Sequence, residues 1–133
     1  MRPPRGFTLV ECAVVCAVAL TLATVALPDL RATQRRAARI DATAALTRVQ
    51  QAQEAYRALH GGYAPALESL RGVAPRSGRG LYAITLEPDG ADAYRASAVA
   101  RGDQAGDRGC ATITLDVRLG FSTPGPDAGC WNR

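Results

Sequence analysis

Few residues of this chain have chemistry to offer, and their spacing says what kind. Four cysteines, one histidine and a lone acid inside an apolar run stand out. Cys110 and Cys130 flank a Gly/Pro-rich stretch beyond that run, a pair most simply read as a disulfide formed in an oxidising compartment. Closing a loop of that length stabilises a fold by about 3 kcal/mol in the chain-entropy view. Cys12 and Cys16 stand four apart, which puts them on one face of a helix as small, polarisable packing residues. Val15 and Glu11, which precede them, are not the small residues that lipoprotein processing wants. His60 has no nucleophile pattern near it, no Gly-rich phosphate loop follows a strand pattern, and no Cys/His spacing suits zinc. The acids are too scattered for a calcium loop. With no acid, base and nucleophile assembled, the chain reads as a non-enzyme with no cofactor and no metal.

The lone acid is Glu11. From Phe7 to Leu27 it is the only formal charge, in a stretch that as a helix would be about 31 Å long, enough to cross the hydrocarbon of a bilayer. Arg2 and Arg5 precede it, so the first six residues are expected in the cytoplasm and the rest on the far side of the membrane. A carboxylate in lipid persists when a partner awaits it. A cut between Gly6 and Phe7 would create one, an α-amino group one helical turn before Glu11. Such a pair enforces register, because leaving either member alone in low dielectric is costly. The same acid argues against a cleaved secretory signal, for which Ala17-Val18-Ala19 offers only a weak site.

These residues need elements to position them. Asp29 to His60 contains neither Pro nor Gly and is rich in Ala, Arg, Gln and Leu. Ala38, Ala42, Ala45, Val49, Ala52, Tyr56 and Leu59 recur at alternating spacings of four and three, an apolar stripe on an amphipathic helix that Gly61 and Gly62 end. One long helix follows, apolar in its first half and amphipathic in its second, with Pro28 loosening it at the changeover. Residues 63–80 read as loop with one helical turn around 66–70. Alternation then predicts strands over 81–87, 93–100 and 111–117, an antiparallel meander whose buried face carries Tyr82, Ile84, Leu86, Tyr94, Ala96, Ala98, Ile113, Leu115 and Val117. The Ala-rich stripe is the surface that covers it. The tail from Gly120 reads as loop tied back through Cys130, and Arg101-Gly102-Asp103 as a solvated turn.

The formal charge of +4 sits early. Six arginines, Arg31, Arg35, Arg36, Arg39, Arg48 and Arg57, oppose three acids between Asp29 and His60, whereas eight arginines balance eight acids from Gly61 onward. The cluster Arg31, Arg35, Arg36 and Arg39 lies beside the span, which already accounts for it as a membrane-surface cluster. DNA contact there lacks the interleaved aromatics of a strand-binding surface. All sixteen basic residues are arginine, a compositional habit and not a binding signature.

Gly6-Phe7-Thr8-Leu9-Val10-Glu11, after a short basic leader and before an apolar helix, resembles the class III signal of type IV prepilins and the related pseudopilins. Pro28 sits where pilin helices carry a helix-loosening proline, and HGGYAPALESL resembles the pilin segment leaving the long helix. The stretch from GLYAITLE to GCW is similar to the C-terminal half of short PilE-like minor pilins, closing disulfide loop included. The resemblance implies an α+β type IV pilin fold, a long N-terminal helix packed on a small antiparallel sheet with a C-terminal disulfide loop. It divides the chain into a leader (1–6), a transmembrane and filament-core helix (7–28) and an exported domain (29–133). It further implies cleavage after Gly6 by a prepilin peptidase and methylation of the Phe7 amine. The subunit would wait in the inner membrane among lipid, with its C-terminus periplasmic. The assembly platform would then draw it into an extracellular pilus, with Glu11 paired to a neighbour's Phe7 amine and other pilins contacted through the N-terminal helix. Cys12 and Cys16 depart from the usual aliphatic filling of that helix. The expected function is a structural subunit, minor rather than major, serving pilus biogenesis, adhesion or twitching motility. The alternatives are a type II secretion pseudopilin, which the absence of an acidic calcium cluster disfavours, and a pilin-like DNA-uptake receptor, which the neutral balance after Gly61 disfavours.

Overall fold

A computed structural model describes residues 6–132; the basic leader residues Arg2 and Arg5 lie outside them. The chain forms two compact units, one ending at Gln34 and the other beginning at Arg35. Among the described residues, helix α1, Leu9–His60, supplies all the regular structure of the first unit and the first element of the second. The helix runs through Pro28, although proline has no N–H to donate there. The first half of α1 is long and apolar enough to cross a membrane, and its apolar side chains are exposed.

Thr8 starts the helix. Its hydroxyl receives the Glu11 N–H at 3.3 Å, while the Glu11 carboxylate accepts from both the Thr8 N–H and the Thr8 hydroxyl at 2.9 Å. This reciprocal cap satisfies donors that a helix start otherwise leaves unpaired.

In the second unit, four strands form an antiparallel meander in the order β1 (Tyr82–Pro88), β2 (Ala93–Ala100), β3 (Thr112–Arg118) and β4 (Phe121–Gly125). The register sets Ile84 opposite Ala98, and Ala98 opposite Ile113. Ala38, Ala42, Ala45, Leu46 and Val49 of α1 are buried together with Tyr82, Ile84, Tyr94, Ala96, Ala98, Ile113, Leu115 and Val117 of the sheet. Alanines of both α1 and β2 lie in this shared core. The larger side chains fill the flanks, each contributing about 1.5–3 kcal/mol on full burial.

Two features depart from the sequence reading. The tail is not all loop: Phe121–Gly125 pairs with β3, and Ala128–Trp131 is a 3₁₀ turn. Its Pro and Gly content masks the strand, yet Pro124 is tolerated because β4 is an edge strand. Leu59 is 82% exposed and takes no part in the core stripe. At that end the core is completed instead by Tyr63, which packs edge-on against Tyr94 with centroids 4.8 Å apart.

Polar groups tie the pieces down. Gln53, fully buried, spans the turn after α1: its carbonyl accepts from the Ala64 N–H at 2.7 Å and its amide donates to the Ala64 carbonyl at 3.2 Å. Arg39 donates from Nε and Nη2 to the two carboxylate oxygens of Asp107, both at 2.7 Å, and from Nη1 to the Gly129 carbonyl at 3.2 Å. These hydrogen bonds to Asp107 hold the Arg39 guanidinium above its ordinary pKa. Gln104 donates to the Arg35 carbonyl and to the Tyr82 hydroxyl, and burial pushes the Tyr82 phenol up, so it stays neutral. The Cys110–Cys130 disulfide closes the segment that this network anchors to the helix.

Candidate nucleic-acid interface

The arginines of the second unit divide into paired and unpaired sets. Arg39, Arg57, Arg95 and Arg118 face Asp107, Asp92, Asp116 and Asp89. Arg48 on α1 and Arg71, Arg76 and Arg79 on the loop before β1 are exposed, and among the described residues none of these four makes an ion pair; the same holds for Arg36 on α1 and for Arg101 and Arg108 after β2. The zero balance after Gly61 therefore conceals a segregation. Residues 61–81 hold three arginines and one glutamate, whereas residues 82–132 hold four arginines and seven acids. A count along the loop, rather than over the whole C-terminal body, is the signal in the sequence that finds this site.

The loop carrying these charges is built, not merely long. The Ser77 N–H donates to the Tyr82 carbonyl at 2.9 Å, and the Ser77 hydroxyl accepts from the Tyr82 N–H at 3.0 Å. The Ile84 N–H donates to the Pro75 carbonyl, and Arg76 bridges to Ala83 across the outer edge of β1. A turn closed by the Gly80 N–H and the Ser77 carbonyl needs the positive φ of +73° that Gly80 supplies. The Arg79 N–H donates to Asp41 Oδ1 at 3.0 Å, which pins the turn to α1. Gly78 lies where an added Cβ would stand 3.9 Å from Arg48 Nη1, so the helix arginine reaches the loop. Four free guanidiniums on a braced edge can hold a polyanion, since each neutralises a phosphate and releases its condensed counterions.

The residues singled out from the sequence at the N-terminus fall together. Gly6 and Phe7 lie in non-helical backbone immediately before α1, with Phe7 exposed. Glu11 is one turn into the helix and engaged with Thr8. The Thr-x-x-Glu spacing is a helix-start signature, so Glu11 has a local partner that charge reasoning alone missed. Cys12 and Cys16 are free and exposed. Pro28 is helical, and Cys110 and Cys130 are bonded to each other.

A family model described as type IV minor pilin ComP, DNA uptake sequence receptor, matches residues 28–114. That is more than half of the chain, and it includes Arg48, Arg71, Arg76 and Arg79. No curated protein matches the chain.

Proposed function

The chain belongs to the type IV minor pilin family, and we propose that it is a pilus subunit that captures DNA, with Arg48, Arg71, Arg76 and Arg79 as the phosphate-binding residues. The observation that carries this reading is the meeting of four unpaired, exposed arginines on one braced loop and the adjoining helix. The matched family's description as a DNA uptake sequence receptor supports it. Pilins are structural proteins rather than enzymes, and arginine–phosphate contact requires no catalytic group. Titration of the full-length chain in detergent micelles with a fluorescent duplex tests the reading. Saturable binding at low salt that weakens steeply as salt rises is expected, and an unchanged signal at low salt removes the proposal.

The N-terminal unit supplies the anchor and the route into the filament. A prepilin peptidase cuts between Gly6 and Phe7, a bond that the structure leaves exposed ahead of the helix, and the Phe7 amine is then methylated. Before assembly the apolar half of α1 lies in the inner membrane among lipid, with the second unit periplasmic. The assembly platform moves the subunit into the extracellular pilus, where the same helix contacts other pilins. Glu11 there exchanges its Thr8 cap for the Phe7 amine of a neighbour, and Pro28 marks the point where α1 yields. Mass spectrometry of the mature N-terminus tests this: methylated Phe7 as first residue is expected, and a start near Leu20 contradicts it.

A further inference from the structure

A groove beside the arginine loop is not used by phosphate contact. It opens between the last turns of α1 and the 3₁₀ turn Leu67–Ser69, with a volume of about 390 Å³. Tyr56, Leu59, His60 and Leu70 give it an apolar lining, and Arg71 stands on its wall. Within it the Tyr56 and His60 rings are stacked, centroids 3.9 Å apart and planes 15° from parallel. The carbonyl of Tyr56 lies 2.9 Å from His60 Nδ1. A carbonyl accepts and cannot donate, so Nδ1 carries a proton, which fixes the ring and leaves Nε2 free to meet a partner. His60 and Leu59 are exposed while Tyr56 is half-buried against the core, so the His60 member of the ring pair and an aliphatic side chain meet water.

The chemistry of the lining selects the occupant. A free phosphate would use Arg71 but not Leu59 or Leu70, and an acyl chain would use the leucines but not a stacked ring pair. A planar heteroaromatic joined to an anion uses all of them. Its ring lies on the aromatic pair, its edge meets His60 Nε2, and its phosphate reaches Arg71. Arg57, the other cation near this end of the helix, is turned away toward Tyr63 and Asp92, and Glu68 is exposed in the adjoining turn. Arg71 also belongs to the arginine loop, so groove and loop form one continuous surface. A base inside a duplex has both faces covered by its neighbours, whereas an unpaired base has a face to offer.

We propose that this groove receives an unpaired nucleobase, so that the chain grips a single-stranded end more tightly than a blunt duplex. The inference rests on the DNA-binding reading and adds a second recognition element to it. The test uses the full-length chain in detergent micelles and three fluorescent DNAs: a blunt duplex, the same duplex with a short thymidine overhang, and that overhang made abasic. The overhang is expected to bind about tenfold more tightly than the blunt form, the scale of one base stacked on an aromatic side chain. The abasic overhang is expected to fall back to the blunt level, and Tyr56→Ala or His60→Ala to bring the ratio of overhang to blunt affinity close to unity. Equal binding of overhang and blunt DNA by the unaltered chain overturns the inference and leaves duplex capture intact, as does an abasic overhang that binds as well as the intact one. Failure of all three DNAs to bind overturns the DNA reading itself.

Discussion

Replacing Asp107 with alanine is expected to destabilise the second unit by about 3–5 kcal/mol. The side chains of Arg39 and Asp107 are 12% and 7% exposed, and the carboxylate receives two 2.7 Å hydrogen bonds from the guanidinium. Removing it leaves a buried cation whose remaining partner is the Gly129 carbonyl at 3.2 Å. Gln104 loses its 3.3 Å contact to the same carboxylate but keeps the Arg35 carbonyl and the Tyr82 hydroxyl. For a unit of about a hundred residues, each kcal/mol moves the melting temperature by about 4–8 °C, so the loss lowers it by about 12 °C or more. Replacing both partners, Arg39→Met with Asp107→Leu, removes the desolvated charges together and is expected to recover most of the loss. Trp131 reports on the clamped segment directly, since it follows Cys130 and its indole N–H donates to the Gly125 carbonyl at 2.9 Å. Thermal and urea melts of the full-length chain in micelles, read by Trp131 fluorescence, give the three stabilities. A single variant within about 1 kcal/mol of the parent refutes the reasoning, and so does a double variant as unstable as the single one.

Three further outcomes follow from particular residues. Leu119 has φ of +51° at the β3–β4 hairpin and is 67% exposed, so Leu119→Gly is expected to stabilise by about 1 kcal/mol, and a lower urea midpoint would count against it. Gln53→Leu strands the N–H and carbonyl of Ala64 in the core and is expected to cost about 2–4 kcal/mol, with faster hydrogen exchange at the Ala64 amide; persistent protection there would contradict the assignment. Glu11→Ala is expected to be processed yet to enter filaments poorly, and normal incorporation of that variant would remove the assembly role proposed for Glu11.

Much of the fold is legible because its periods are clean. Tyr82 and Ile84, Tyr94, Ala96 and Ala98, and Ile113, Leu115 and Val117 recur at every second position and are buried as a period of two requires, with Ala93 and Ser97 of β2 buried as well. Strand β4 escapes because its length is only Phe121–Gly125 and its Pro124 and Gly125 are breakers everywhere except at an edge. Gln53 is hidden in the helix pattern for a different reason. Its burial depends on the turn that brings Ala64 back over it, which no local period encodes. The interface was obscured by summation, since unpaired Arg71, Arg76 and Arg79 cancel on paper against Asp89, Asp107 and Asp116, which are engaged elsewhere. Pairing is a property of three dimensions, and it decides which charges remain free to meet a partner.

The salt dependence of duplex binding tests the central claim most directly. If Arg48, Arg71, Arg76 and Arg79 each neutralise one phosphate, the logarithm of the binding constant falls against the logarithm of salt concentration with a slope of about −3.6, about 0.9 for each contact. Alanine at any one of them is expected to reduce the slope by about 0.9 and alanine at all four to bring it close to zero. Alanine at Arg95 or Arg118, which are held by Asp116 and Asp89, is expected to leave it unchanged. A slope that survives the fourfold replacement, or that falls when Arg95 or Arg118 is removed, contradicts the account.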